Sequence, residues 1–318
     1  MVPVEAQRAA EIFADQRSYL LGVSYRLTGS WADAEDLVAE AWPRWAEHAD
    51  EVLDPRAWLT RVVGRLSLDH LRSARVRRET YVGPWLPEPL ITSAGGTVGS
   101  GAGRADSRGG GGNPSHERDP LDILVTDESV RMAFLVVLDE LSPEQRLAVV
   151  LHDVLGLDFA DISEVIGCSV PMARQHAARG RRRLSDLDPA PRQPADLAWA
   201  VLGEMSTALF AGDIHRLSEL LAPDVVLTSD GAGKVSAARR PVVGAAKVGG
   251  FLAGLVSRYG SGASVEPVLV NGDPGFLVRV KGPRPQDAPV SVYTVAVRGR
   301  QIVALYAVLA PDKLTRLN

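Results

Sequence analysis

Apolar residues recur at helical spacing through roughly the first 190 positions, then give way to short strand-like runs. Phe13, Leu20, Val23, Tyr25 and Leu27 predict a first helix with one apolar stripe. Gly29-Ser30 breaks it, and Ser30 is placed to cap the next helix, WADAEDLVAEAW, whose early acidic residues suit the helix dipole. Asp54-Pro55 opens a third helix with Trp58, Val62, Leu66 and Leu68 on its apolar face. Arg61, Arg65, Arg72, Arg75 and Arg77 cannot share that face and project outward. Pro43 falls inside the second helix, where it removes an N–H, crowds the carbonyl of Ala39 and should end or kink the helix.

A second helical block runs from about 119 to 187. Val130, Phe134, Leu135, Val137 and Leu138 predict one helix, and Leu141-Ser142-Pro143-Glu144 stops it and caps the next. The run RLAVVLHDVLG ends at Gly156. Phe159, Ile162, Val165 and Ile166 form the inner face of a short helix, Gly167-Cys168-Ser169 a turn, and Ser169 a cap with Pro171 just inside the helix that follows. In a third block, from about 195 to 318, Leu197, Val201, Met205 and Leu209 mark an amphipathic helix. A second helix follows, and then the runs DVVLTSD, SVEPVLV, GFLVRVK, VSVYTVAV and IVALYAVL. Helices followed by a strand-rich half indicate an α+β domain.

Between the first two blocks, residues 91–118 are rich in glycine and serine and poor in large apolar residues. Such a linker cannot offset its ordering entropy by burial, and its reach of roughly 30 Å lets the flanking domains sit apart on one partner. The organisation expected is thus a helical domain over 5–90, a flexible linker over 91–118, a helical domain over 119–187 and an α+β domain over 195–318.

Charge sharpens this picture. The net charge is −4, yet residues 54–89 carry seven arginines, and five more lie between Arg174 and Arg183. Local basicity in a mildly acidic chain reads as a nucleic-acid surface. The second basic helix follows a helix-turn-helix pattern. Arg174, Gln175, His176 and Arg179 are placed to reach base edges, and Arg181, Arg182 and Arg183 suit phosphates. Met172 is free to pack inward or to make an apolar contact. The first basic helix has another architecture: arginines beside Trp58 and Tyr81 suit strand-separated DNA, where bases stack on aromatics, although Trp58 equally fits core packing. The single Cys168 excludes an internal disulfide and a cysteine metal site, and fits a small buried group. The N-terminus lacks a signal-peptide pattern and no run matches a membrane span, so the expected location is cytoplasmic.

These motifs together resemble the extracytoplasmic-function sigma factors of bacterial RNA polymerase. ADAEDLVAEAW resembles the family's polymerase-binding helix, WLTRVVGRLSLDHLRS the segment that opens and reads the −10 element, and DFADISEVIGCSVPMARQHAARGRRRL the −35-reading domain. The run YVGPWLPEP, with Asp230-Gly-Ala-Gly-Lys234, Asn271-Gly-Asp-Pro-Gly275 and Pro311-Asp-Lys-Leu314, resembles the subgroup that carries a fused SnoaL-like domain. Ala232 stands where that subgroup usually has glycine, and Ala310 replaces its usual asparagine.

The resemblance implies two all-α domains, sigma regions 2 and 4, and a cone-shaped α+β barrel of the SnoaL/NTF2 type. It implies polymerase binding through Asp36, Leu37 and Glu40, −10 contacts from Trp58, Arg61, Arg65, Arg72 and Arg75, and −35 contacts from the second basic helix. It assigns regulatory contacts to Trp85, Pro87, Asp230, Lys234, Asn271, Gly272 and Gly275. The partners implied are the polymerase core (at its clamp) and promoter DNA, with no cofactor or metal, no membrane and a small molecule as a possible ligand of the third domain. Catalysis by a SnoaL-like domain needs a positioned acid or base. Only His215 of the six histidines lies in this block, leaving Asp230, Arg279, Tyr293 and Tyr306 as polar candidates, so a non-enzymatic role in cis is expected. The rival is a helix-turn-helix regulator with a ligand-binding or enzymatic SnoaL-like domain.

Overall fold

The computed structural model describes residues 4–78, 81–94, 127–281 and 284–317. Helix α1 spans Val4–Thr28, α2 Trp31–His48 and α3 Pro55–Arg78. Gly29 turns the chain at φ +70°, and Ser30 Oγ accepts from Asp33 N at 3.2 Å, capping α2 as expected. Pro43 does not end α2. It lies on the exposed face, where the carbonyl it frees can meet water, while buried Ala41 and Trp45 anchor the helix on either side. On α3 the buried stripe is Leu59, Val63, Leu66, Leu68 and Leu71. Trp58 and Val62, expected on that stripe, are half-buried at its edge.

After a 3₁₀ turn at Glu128–Val130, α4 spans Met132–Asp139. Ser142 and Gln145 form a reciprocal capping box at the start of α5, Pro143–Val149. This helix widens into a π turn over Val150–Val154 and stops at Gly156, φ +74°. Helix α6, Phe159–Ile166, ends at left-handed Gly167, and α7 spans Val170–Leu187. Ser169 begins α7 through its carbonyl, which accepts from Ala173 N at 3.0 Å; its hydroxyl makes no cap bond.

One apolar core runs through both helical blocks, uniting Leu20, Trp45 and Val63 with Leu147, Leu151, Ile162 and Val165. The two blocks are therefore packed together, not held apart at the linker's reach. Residues 95–118 of the expected linker lie outside the described residues. Its first residues, Ile91–Ser93, form a strand, β1.

The C-terminal half begins with α8, Ala195–Ala211, and α9, Ile214–Leu220. Strands β2 Leu221–Asp230 and β3 Val242–Val243 precede α10, Ala245–Tyr259. The sequence reading placed no helix at α10, where Gly249, Gly250 and Gly254 dilute the pattern. Strands β4 Ala263–Val270, β5 Asp273–Val280, β6 Val290–Arg298 and β7 Gln301–Val308 complete a seven-stranded sheet. Its order is β1-β4-β5-β6-β7-β2-β3, antiparallel except for the β2–β7 pair. This is the α+β architecture expected of the third block.

Strand alternation gives the sheet two working faces. Val295, Leu305 and Phe276 meet α8–α10 on one face. Leu277, Val292, Tyr306 and Val308 meet Leu86, Met132 and Ala133 on the other. Strand β1 pairs Ile91 with Val270, so chain preceding the second helical block forms an edge of the C-terminal sheet.

Candidate nucleic-acid interface and its latch

The basic face of α3 is turned toward the second helical block. Gly64 lets α3 approach α6 closely: a β-carbon there would sit 3.2 Å from Val165 Cγ1 and 3.6 Å from Leu151 Cδ1. Arg61 Nη1 lies 2.6 Å from Asp161 Oδ1, and Arg72 Nη2 lies 3.0 Å from Glu144 Oε1. Burial pushes the Glu144 carboxyl up, but its own backbone N–H and Arg72 outweigh this and hold it below the usual carboxylate range. Arg65 is exposed. Trp58 packs in a tilted pair with Trp45, ring centroids 5.7 Å apart, and against His48 at the same separation. The Arg75 side chain lies outside the described residues.

On α7, Arg174, Gln175, Arg179, Arg181, Arg182 and Arg183 are exposed, as is Met172. Arg174 reaches over the Phe159 ring, 5.7 Å from its centroid. Arg181 forms a two-pronged pair with Asp153 at 2.6 and 2.8 Å, and Arg183 lies 3.5 Å from Glu140. His176 is half-buried, and its Nδ1 has no hydrogen-bond partner among the described residues. It turns partly into the domain instead of standing with the exposed arginines. Cys168 is half-buried at the turn, and burial raises its thiol pKa.

On α2, Asp36 and Glu40 are exposed, Glu40 beside Arg44 at 3.1 Å. Leu37, expected on the same outward surface, is 6% exposed and belongs to the core. Helical spacing explains the difference: Leu37 follows Ala34 and precedes Ala41 on the inward stripe.

Trp85-Leu-Pro-Glu-Pro89 joins three parts of the molecule. Buried Glu88 accepts from Trp31 N at 2.8 Å and Ala32 N at 3.2 Å, satisfying free N–H groups at the start of α2. Tyr25 Oη donates to Glu88 O at 2.8 Å. Trp85 lies against Gly29, where a β-carbon would fall 2.8 Å from its ring, and Pro87 is buried beside it. Lys313 Nζ sits 4.3 Å from a Trp85 ring centroid.

The C-terminal domain grips this segment through carboxylate and amide groups. Asp230 is fully buried and accepts from Tyr81 Oη at 2.6 Å, Leu86 N at 2.9 Å and Lys313 Nζ at 2.7 Å. Lys234 pairs with Asp312. Gly233, at φ +69°, leaves room for Val82, which a β-carbon would meet at 2.7 Å.

Asn271 is also fully buried. Its Nδ2 donates to Tyr25 Oη and to Val130 O, both at 2.7 Å, and its Oδ1 accepts from Leu90 N at 3.1 Å. One amide thus bonds α1, the second helical block and the 81–94 segment. Gly272 turns the hairpin at φ +80°, and a β-carbon on Gly275 would collide with Tyr293 O. Asp273 pairs with Arg131, itself 3% exposed, at 2.8 and 3.1 Å.

Sequence reasoning missed Tyr25, Glu88, Arg131 and Lys313. Tyr25 looked like ordinary core and Arg131 is a lone charge with no signal until its buried partner is known, whereas Glu88 and Lys313 lie within the YVGPWLPEP and Pro311-Asp-Lys-Leu314 motifs without having been singled out there. Of the polar candidates for catalysis, only Tyr293 lines the cavity on the sheet's other face. Tyr306 packs in the core toward the helical domains, Arg279 is exposed beside Glu266, and His215 is exposed.

No helix among the described residues is long and apolar enough to cross a membrane. Residues 12–77 match the sigma-70 region 2 family, and residues 131–184 the sigma-70 region 4 family. The chain is 42% identical to the ECF RNA polymerase sigma factor SigJ of Mycobacterium tuberculosis over 95% of its own length and 92% of that protein's. It is 29% identical to a probable ECF sigma factor, SigI, of the same organism, over 95% and 93% of the two lengths. The crystal structure of M. tuberculosis SigJ superposes with a TM-score of 0.73, at 39% identity, covering 96% of this chain and 98% of that one. Two sigma regions in order, and a relative alike along nearly its whole length and in its three-dimensional fold, place the chain in the extracytoplasmic-function RNA polymerase sigma factor family.

Proposed function

We propose that the protein binds bacterial RNA polymerase core in the cytoplasm, directs promoter-specific initiation, and is held by its C-terminal domain in the closed form seen here. Asp36 and Glu40 meet the polymerase clamp. The arginines of α3, with Trp58, receive the opened −10 strand, and exposed Arg174, Gln175 and Arg179 read the −35 duplex while Arg181, Arg182 and Arg183 hold phosphates. His176 shapes the domain and turns toward DNA only if the turn moves. The 5–90 and 119–187 blocks act as separate DNA-binding units once the closure opens. The C-terminal domain works without catalysis, as a regulator in cis, since its cavity wall carries no histidine or carboxylate among the described residues. An apolar small molecule in that cavity is a further partner in this reading.

The observation that carries the proposal is the buried Asp230 cluster together with the Asn271 amide. They tie the C-terminal domain to α1, to the 81–94 segment and to the second helical block, while Arg61 and Arg72 of α3 are occupied by Asp161 and Glu144. The test is run-off transcription with bacterial core polymerase and a promoter that the full chain recognises. Asp230→Ala leaves Lys313 without its carboxylate and should change transcript yield severalfold, with circular dichroism still showing a folded chain. Wild-type yield from Asp230→Ala and from a variant of the 271–275 turn would sink the regulatory part.

A further inference from the structure

The concave side of the sheet holds a cavity of about 390 Å³, roofed by α8 and α10. Its floor follows from strand alternation: Phe276, Val278, Tyr293 and Leu305 point in, while their neighbours Leu277, Val292 and Tyr306 point toward the helical domains. The wall is nearly all carbon. Close-packed interiors leave few voids larger than a water molecule, and a water needs two or more polar partners to settle. A carbon-lined space of this size is therefore suited to an apolar ligand. Phe210 and Val265, which also line it, are 61% and 41% exposed, so apolar surface continues out to the mouth.

Polar groups gather at one end. Tyr293 bonds Ser291, and burial holds its phenol above the ordinary range, so it stays a neutral donor. Tyr259 and Arg284 stand nearby, but both engage buried Asp287, Arg284 at 3.2 Å. Arg284 is thus already neutralised, and Arg258, the other guanidinium on the lining, is exposed to solvent and stacks on the Tyr259 ring, 5.3 Å from its centroid, so the enclosed wall offers hydrogen bonds more than net charge.

We infer that this cavity binds one uncharged, largely apolar small molecule with a hydroxyl or carbonyl oxygen at the Tyr293 end. At interior packing density it would hold about 290 Å³ of ligand, the bulk of roughly four fused rings. One layer of sheet separates it from the helical domains. The ligand and Asp273 of the latch therefore share β5, with Asn271 in the turn just before it. The inference rests on the proposal that this domain takes a small molecule, and on no part of the promoter-binding reading.

The test is fluorescence titration of the full chain, without polymerase or DNA, using 1-hydroxypyrene, pyrene and pyrene-1-carboxylate as probes. Saturable, equimolar binding of 1-hydroxypyrene is expected. Leu255→Trp from α10 and Ser206→Phe from α8 each push bulk into the cavity and should weaken it tenfold or more, with folding checked by circular dichroism. Tyr293→Phe should weaken 1-hydroxypyrene at least threefold and leave pyrene unchanged. Absence of saturable binding, or binding indifferent to both filling variants, would overturn the site. Preference for the carboxylate would overturn the uncharged class. None of these outcomes bears on whether the chain initiates transcription.

Discussion

Gly64 is the point at which the closed form can be weakened without touching a charged group. It faces Val165 and Leu151 at a separation only glycine allows comfortably. Alanine would press on Val165 Cγ1 from 3.2 Å, and the helix propensity it gains, about 1 kcal/mol, roughly offsets that pressure. Leucine gains the same propensity, so α3 itself should not suffer. Its three further carbons have no space between α3 and α6, and overpacking of this kind costs about 1–3 kcal/mol. That cost falls only on the form in which the two helices touch. The equilibrium between closed and open forms should therefore move toward open by roughly 5–150-fold. The assay is intramolecular energy transfer between dyes on Glu47→Cys and Ser185→Cys, both exposed, in a Cys168→Ser background. Gly64→Leu should lower transfer and Gly64→Ala should leave it almost unchanged. Equal transfer in all three proteins, at unchanged thermal stability, would refute the claim that the α3–α6 contact holds the resting state closed.

Two further expectations concern other contacts. Asp127 accepts from Arg26 at 2.6 Å and from Ser129. Burial raises its pKa, but these bonds outweigh burial and hold it below the ordinary carboxylate range. A depressed folded pKa contributes stability that is complete above the unfolded value and is lost as pH falls through the folded one, so the same dye pair should report loosening on acidification. Asp127→Asn should remove that part of the pH response; an identical acid profile would count against the Arg26–Asp127 contact. Ala232 adopts φ +54°, which costs a residue with a β-carbon about 1–2 kcal/mol. Ala232→Gly regains that, less about 0.5–1 kcal/mol of chain entropy, so a small rise in thermal stability is expected and a fall would show that the alanine methyl packs usefully.

Much of this fold was legible in the sequence because its punctuation is local. Ser30, Ser142, Gly156 and Gly167 mark helix ends by chemistry that acts within a few residues, and all four do so in the structure. The strand-like runs that form β4–β7 were equally plain. Three things were not. Pro43 reads as a breaker, but packing by Ala41 and Trp45 carries α2 through it. Glycines hid α10. The closure of the helical blocks through Gly64 depends on distant Val165 and Leu151, whose contact no spacing rule contains. The site divided likewise. Asp230 and Asn271 stood out through their turn motifs, whereas Arg131 is an ordinary charge until Asp273 is placed beside it, and the motif that contains Lys313 did not say that its partner is Asp230.

The choice of polar groups for the latch has a physical consequence. An apolar joint of this size would resemble a divided core and release reluctantly. Buried ion pairs and amides come close to breaking even against water when every partner is satisfied, yet they are costly when one partner is missing. Asp230, Asn271 and Asp273 therefore add stringent geometry to a joint whose energy also draws on the buried apolar cluster of Leu86, Met132 and Ala133 against the sheet. When the domains part, water can solvate each of these groups. The apolar contacts that remain, Leu86 and Met132 against β5 and β6, lie on strands whose opposite face lines the cavity. In the reading proposed above, a ligand that repositions those strands would strain the polar bonds and the apolar cluster together. Because those bonds tolerate little misalignment, a small displacement of β5 or β6 should be felt across the joint.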